Sequence, residues 1–257
     1  MTKVIVAGAN GAMGKKVVNL IKRTEGFELD AVYDPHANLR ANSSLDSSIH
    51  TFNSLDNIKT DAQIWVDFTV PAAAYTNTKF ALDHNISPII GTTGMSNQEQ
   101  QALVNLSRKK QIGGIIAPNF GLSAVLLMKF AAEAAKYFPD AEVIEMHHAD
   151  KKDAPSGTAL ETAKLIAANR EGIHSTENHQ QEKLAGALGG DYHGIKIHSV
   201  RLPGYIAHEQ VLFGGTGEAL TIRQDSFDRE SFMSGVRVAL QKVLTLNHIV
   251  LGLDKIL

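Results

Sequence analysis

Three glycines at a fixed interval constrain this chain more than any other feature. Gly8, Gly11 and Gly14 stand in the run Gly8-Ala-Asn-Gly-Ala-Met-Gly14, behind Val4-Ile-Val-Ala7 and ahead of Lys15-Lys-Val-Val-Asn-Leu-Ile-Lys22. The first flank is a short apolar run with β-branched residues and reads as a buried strand, and the second reads as a helix. A strand that turns into a helix through G-x-x-G-x-x-G is a variant of the dinucleotide fingerprint. Its glycines permit the tight turn and let the backbone approach a pyrophosphate at the helix N-terminus. Gly8, Ala9, Asn10, Gly11, Ala12 and Met13 are therefore candidate cofactor contacts. The next strand, Glu28-Leu-Asp-Ala-Val-Tyr33, ends at Asp34, 20 positions past Gly14. An acidic residue there hydrogen-bonds the ribose hydroxyls of NAD and repels a 2′-phosphate. Pro35 and His36 follow it, not an arginine. NADH is the expected cofactor, with NADPH usable through Lys15, Lys16 or Arg40. A β–α turn that binds no nucleotide is the competing reading.

The alternation continues. Residues 37–60 are rich in Asn and Ser and read as a long loop. Gln63-Ile-Trp-Val-Asp-Phe68 is the next strand, residues 72–84 a helix and Ser87-Pro-Ile-Ile90 a further strand that runs into Gly91-Thr-Thr-Gly94. Ser96 suits the cap of a helix through Lys110, and Ile112-Gly-Gly-Ile-Ile116 leads to the turn Ala117-Pro-Asn-Phe120. Strand and helix alternating in this way predict a Rossmann-like, doubly wound parallel sheet, with ligands at the carboxyl ends of its strands. After Phe120 the pattern changes. Residues 121–137 form a long apolar helix, and residues 169–190 form a polar, irregular connection with His174, His179 and nearby His193 facing solvent. Residues 194–201, 207–213 and 218–223 alternate at period two, the last two joined by the hairpin Gly214-Gly-Thr-Gly217. With the strand before His147 they predict a mixed or antiparallel sheet in an α+β C-terminal domain. Residues 228–246 make a final amphipathic helix on Phe232, Val236, Leu240 and Val243.

Chemistry concentrates in Glu145-Met-His-His-Ala-Asp-Lys-Lys-Asp-Ala-Pro-Ser-Gly-Thr158. Val143 and Ile144 before it suit a buried strand, and residues 159–168 after it suit a helix. Thr158 and Glu161 are spaced as a capping box, T-x-x-E. Pro155-Ser-Gly157 turns the chain tightly and lets backbone approach a ligand. Unpaired N–H groups at the helix start, with Lys151 and Lys152 nearby, suit a carboxylate or phosphate. His147 and His148 face opposite sides of an extended backbone. One is placed to donate a proton near neutral pH and the other to hydrogen-bond a substrate. A metal held by His147, His148 and Asp150 is disfavoured, because neighbouring side chains diverge and no His-x-x-x-His or Cys pair supports it. The plainer reading is a capped helix after a charged surface loop.

The run E-x-H-H-x-x-K-x-D-A-P-S-G-T-A resembles the signature of the 4-hydroxy-tetrahydrodipicolinate reductases, or dihydrodipicolinate reductases, of the diaminopimelate–lysine pathway, and the whole chain follows that family's order of motifs. The resemblance implies NAD(P)H-dependent reduction of a small cyclic imine dicarboxylate. It implies His147 as proton donor, Lys151 as the catalytic lysine that anchors substrate, and His148, Gly157 and Thr158 as substrate contacts. It places Gly91, Thr92, Thr93, Ala117, Pro118, Asn119 and Phe120 along the nicotinamide end of the cofactor. It also implies a homotetramer assembled through the C-terminal sheet and a final helix returning to the first domain. The nucleotide domain is then 1–118 with 226–257, and the substrate-binding and oligomerisation domain 119–225. Three departures stand out: Ala149-Asp150 replaces a further basic residue, Asn10 and Ala12 replace a common Gly and Arg, and no arginine follows Asp34. The last two point away from a 2′-phosphate. Rival readings are another nicotinamide-dependent oxidoreductase and a non-catalytic nucleotide sensor.

Bulk composition agrees with a metabolite-handling enzyme. With 25 Lys and Arg against 27 Asp and Glu, the net charge of −2 argues against a nucleic-acid partner. No apolar run approaches the roughly 20 residues that span a bilayer, so no membrane partner is expected. The N-terminus lacks a signal-peptide cleavage pattern, and the absence of cysteine removes disulfide and thiol chemistry. A cytoplasmic location is the expectation.

Overall fold

The computed structural model, which describes residues 1–35, 49–170 and 181–257, begins with the expected strand, turn and helix. β1 (Thr2–Ala7) leads into α1 (Ala12–Arg23), followed by β2 (Phe27–Tyr33), β3 (His50–Phe52), β4 (Ile64–Asp67), α2 (Pro71–Asp83), β5 (Ser87–Ile90), α3 (Asn97–Lys110) and β6 (Gly114–Ile116). Then come α4 (Leu122–Ala134), β7 (Asp140–His147), α5 (Gly157–Asn169), β8 (Gly190–Tyr192), β9 (Ile195–Arg201), β10 (Ala207–Gly215), β11 (Glu218–Ser226), α6 (Ser231–Lys242) and β12 (Ile249–Leu251). The chain divides into two units, 1–120 with 229–257, and 121–228. His36, Arg40, His174 and His179 lie outside the described residues.

In the first unit seven parallel strands run in the order β12-β6-β5-β4-β1-β2-β3. The expected Rossmann-like sheet is therefore present. Sequence order reverses between β1 and β4, which places the glycine turn at the switch point of the sheet. Covered on both faces, these strands need continuous apolar runs, and Ile64, Trp65 and Val66 of β4 are fully buried. The capping of α3 is as expected: Ser96 accepts from the Glu99 N–H, and the Glu99 carboxylate accepts from the Ser96 N–H. Two edge strands of this sheet were not expected, nor was β8 at the edge of the second sheet. β3 adds to β2 inside the region read as loop, and β12 adds to β6. Each has three residues, too few for a period to register. The final helix is also shorter than its amphipathic pattern, because residues 243–245 tighten into a 3₁₀ turn.

The second unit holds a five-stranded sheet in the order β11-β10-β7-β9-β8. β7 and β9 run parallel and the other pairs antiparallel, so the sheet is mixed. Leu127, Ala131, Ala159, Ala163 and Ile166 of α4 and α5 pack on Val143, Ile195, Val211 and Phe213. The alternate strand positions carry Ile144, Val200 and Leu212 on the other face, all half-buried. His193 is exposed, as expected.

One local expectation is corrected. Thr158 and Glu161 do not form a capping box. α5 is capped by Ser156, whose hydroxyl accepts from the Ala159 N–H at 3.1 Å. Thr158 already lies inside the first turn, its carbonyl accepting from the Thr162 hydroxyl, and Glu161 pairs with Lys164. The Ser156 N–H is itself held by the Glu145 carboxylate at 3.1 Å, which sets the helix start two residues earlier than the sequence pattern.

Candidate active site

The predicted cofactor residues all follow the carboxyl ends of parallel strands: residues 8–13 after β1, Asp34 after β2, residues 91–93 after β5 and residues 117–120 after β6. Gly8 has φ +77°, and a Cβ there would stand 2.6 Å from the Phe68 carbonyl oxygen. A methyl on Gly14 would run into the Gly8 carbonyl. α1 starts behind Gly11 with no side-chain cap and no acid in its first turn. Its N–H groups and positive end thus remain available to an anion, and these residues fit a pyrophosphate. The side chains of Thr92 and Phe120 serve the fold instead. Thr92 is buried and its hydroxyl donates to Asp67 Oδ1 at 2.9 Å, while the Phe120 ring is buried against Phe68. Their contribution to a ligand is limited to backbone.

Asp67 is a residue that sequence reasoning missed. It is fully buried at the end of β4. It accepts from the Thr69 N–H (2.9 Å) and hydroxyl (2.6 Å), the Trp65 Nε1–H (3.2 Å), the Asn77 amide (2.9 Å) and the Thr92 hydroxyl. One carboxylate thereby ties the turn after β4 to the turn after β5. An acid closing an otherwise apolar buried strand was the available signal.

In the second unit β7 delivers Glu145 and His147 two positions apart, hence on one side of the strand. Glu145 is fully buried. Arg201, at the end of β9 and paired with His147 in register, donates through Nη1 to Oε2 (2.8 Å) and through Nη2 to Oε1 (2.7 Å). His147 Nδ1 lies 2.5 Å from Glu145 Oε2. Burial pushes the Glu145 carboxyl up, but the hydrogen bonds from His147, Arg201 and Ser199 outweigh it and bring the pKa down to about 2. An ionised carboxylate only accepts, so Nδ1 must carry a hydrogen and Nε2 is the nitrogen left to face a ligand. Arg201 Nη2 also donates to the Asp153 carbonyl at 2.7 Å, pinning the loop between β7 and α5.

The loop places the remaining predicted residues. His148 is exposed, and half-buried Lys151 pairs with Asp153 at 2.7 and 3.0 Å. Gly157 and Thr158 are the first two residues of α5, where N–H groups have no acceptor inside the helix. A Cβ on Gly157 would meet nothing within 4 Å, so the space beside the helix start is open. Among the described residues no group of three His, Asp or Glu is placed to hold a metal ion. None of their helices is long and apolar enough to cross a membrane.

Family comparison decides what this arrangement belongs to. Residues 2–120 match the model of the dihydrodipicolinate reductase N-terminus, and residues 123–257 that of its C-terminus. The chain belongs to the dihydrodipicolinate reductase family. Among its relatives, the 4-hydroxy-tetrahydrodipicolinate reductase of Lactobacillus acidophilus is 63% identical, with 100% of this chain and 99% of that protein covered. The reductase of Lactiplantibacillus plantarum is 54% identical with both chains fully covered. A dipicolinate-bound dihydrodipicolinate reductase from Paenisporosarcina sp. TG-14 superimposes with a TM-score of 0.92 at 42% identity over the whole of both chains. Membership of the dihydrodipicolinate reductase family makes the protein an NAD(P)H-dependent oxidoreductase, as the sequence led one to expect.

Proposed function

We propose that the protein reduces 4-hydroxy-tetrahydrodipicolinate to tetrahydrodipicolinate, with His147 as general acid and NADH as preferred cofactor. The first unit holds the dinucleotide on residues 8–13 and Asp34, with backbone at 91–93 and 117–120 along its nicotinamide. Bound reduced nicotinamide supplies a hydride. Loss of the substrate hydroxyl as water leaves a conjugated ring, which takes the hydride at one end and a proton at the neighbouring position. His147 gives that proton from Nε2, while Glu145 holds Nδ1–H and steadies the imidazolium. The N–H groups of Gly157 and Thr158 bind one carboxylate, and Lys151, exchanging Asp153 for substrate, neutralises the charge with help from His148. The Glu145–His147 bond is the observation that carries this reading, because it fixes which ring nitrogen is free. The reductase works in the cytoplasm as a homotetramer assembled through the face of the second sheet that bears Ile144, Val200 and Leu212.

His147→Gln is expected to lose kcat by about 10²- to 10⁴-fold, the usual worth of general acid catalysis, while NADH affinity by fluorescence titration stays unchanged. Lys151→Ala loses kcat similarly and also raises KM. Near-full turnover in His147→Gln would place the acid elsewhere. The cofactor assignment rests on Asp34 and the absence of an arginine after it. It is checked by kcat/KM for NADH against NADPH, and a preference of about tenfold for NADPH refutes it.

A further inference from the structure

One buried carboxyl group has no part in the chemistry above. Glu209, on β10, is 2% exposed. Its cross-strand partner on β7 is Glu145, so two carboxyl groups lie side by side on the covered face of the sheet. On the other flank its partner on β11 is Gln224, which is neutral. From α5 comes a hydroxyl: Thr162 Oγ1 stands 2.5 Å from Glu209 Oε1 and 3.0 Å from the Thr158 carbonyl oxygen.

Among the described residues no cation is bonded to Glu209. Arg201 and His147 both pair with Glu145; Arg201 donates further to the Val200 and Asp153 carbonyls and keeps a buried Nε–H without a partner, and no hydrogen bond joins either residue to Glu209. The charged groups of the covering helices, Lys129 and Glu133 on α4 and Glu161 and Lys164 on α5, are exposed. His208, next along β10, bonds Asp225, which also holds Arg223. An ionised Glu209 would thus be a second, uncompensated charge beside ionised Glu145. With Glu209 protonated every hydrogen has a place: its O–H donates to Thr162 Oγ1, and the single hydroxyl hydrogen of Thr162 passes on to the Thr158 carbonyl. Burial pushes the Glu209 carboxyl up; the Thr162 hydrogen bond offsets part of this and the Glu145 charge adds to it, for a pKa of about 7.

We propose that Glu209 is a positioning residue of the imidazole acid: held as a neutral carboxylic acid, it completes the wall around Glu145 without a second charge, and its ionisation weakens the site's grip on a dianionic ligand. This rests on the roles given above to Glu145 and His147, yet its test needs no turnover. The test uses the full chain with carbon-13 in its glutamate carboxyls and nitrogen-15 in its histidine rings, followed by NMR from about pH 5.5 to about pH 9. Glu209→Gln, an isosteric neutral variant, identifies the resonance. Glu209 is expected protonated at about pH 6 with a midpoint near neutrality. The His147 ring resonances carry a step at that same midpoint, and the step vanishes in Glu209→Gln. Affinity for dipicolinate by calorimetry falls about three- to tenfold more across this range in the wild type than in the variant, the size expected of one added buried charge. A Glu209 carboxylate already ionised at about pH 6, a His147 step that survives in Glu209→Gln, or an affinity ratio that stays flat each overturns the proposal. Failure of His147→Gln to slow turnover would instead remove the acid role given to His147, an outcome read separately from these three measurements.

Discussion

Glu145 accepts from Arg201, His147 and the Ser156 N–H while fully buried. A buried ion pair is a poor net stabiliser but a costly one to break, because the partner left behind is an uncompensated charge. Glu145→Gln is expected to cost about 2–4 kcal/mol in denaturant unfolding, since Arg201 loses its counter-charge. It also lowers kcat by about 10²-fold or more, since the amide offers one neutral acceptor oxygen in place of two charged ones, and Nδ1–H must share it with Arg201 and the Ser156 N–H. Glu145 and Glu209 impose opposite pH dependence. Glu145 is brought from 4.5 to about 2 on folding, so its stabilisation is present above pH 4.5 and lost as pH falls toward 2. Glu209 is raised from 4.5 to about 7, so the folded state is penalised increasingly as pH climbs from 4.5 to 7. Unfolding free energies measured across that window should fall by about 2–3 kcal/mol in the wild type relative to Glu209→Gln; parallel curves would contradict the raised value. Glu145 entered the sequence reading only as the first residue of the signature, and its bond to His147 is a finding of the structure, although period two places both on one side of a strand. Arg201 was not legible in the sequence, because only the pairing of β9 with β7 brings it there.

Elements differ in how much of their geometry is local. α3 was legible at its start because Ser96 and Glu99 satisfy each other within one turn. α5 was misread because its first cap donor is set by Glu145, eleven residues away. Ser156→Ala should cost about 1 kcal/mol for the lost cap and raise KM for substrate, since the first turn of α5 frays where the carboxylate docks. Ser96→Ala should cost a similar roughly 1 kcal/mol and leave kcat and KM alone, which separates capping from substrate binding. In the glycine turn, Gly14→Ala forces a methyl against the Gly8 carbonyl. Thermal unfolding should register a loss of about 1–3 kcal/mol from this overpacking, together with loss of NADH binding. The period-two pattern of β9 to β11 was legible because one face of each strand is covered, whereas β3 and β12 exist only by virtue of the strands they join.

At the scale of the molecule, an open mixed sheet raises the question of what covers its second face. Ile144, Val200 and Leu212 are half-buried there, among Glu142, Gln210 and Arg223. A homotetramer that buries this face predicts that Leu212→Asp lowers the sedimenting mass. The helices α4 and α5 pack on the opposite face and should keep the far-ultraviolet circular dichroism unchanged. A tetramer that survives Leu212→Asp would move the interface elsewhere.

By itself the sequence determined the fold class, the nucleotide turn and the stretch that carries the imidazole and lysine, because each is written in local patterns: strand and helix periods, glycines where a Cβ has no room, a run of polar residues before a helix. Tertiary structure alone decided that Asp67 ties two turns together, that Arg201 neutralises Glu145, that Ser156 and not Thr158 caps α5, and that Glu209 lies beside Glu145. The pairings of Asp67, Arg201 and Glu209 join residues far apart in the chain, and the start of α5 is set by Glu145 eleven residues away; a buried charge has no signature in sequence until folding removes the water around it and shows which groups remain to answer it.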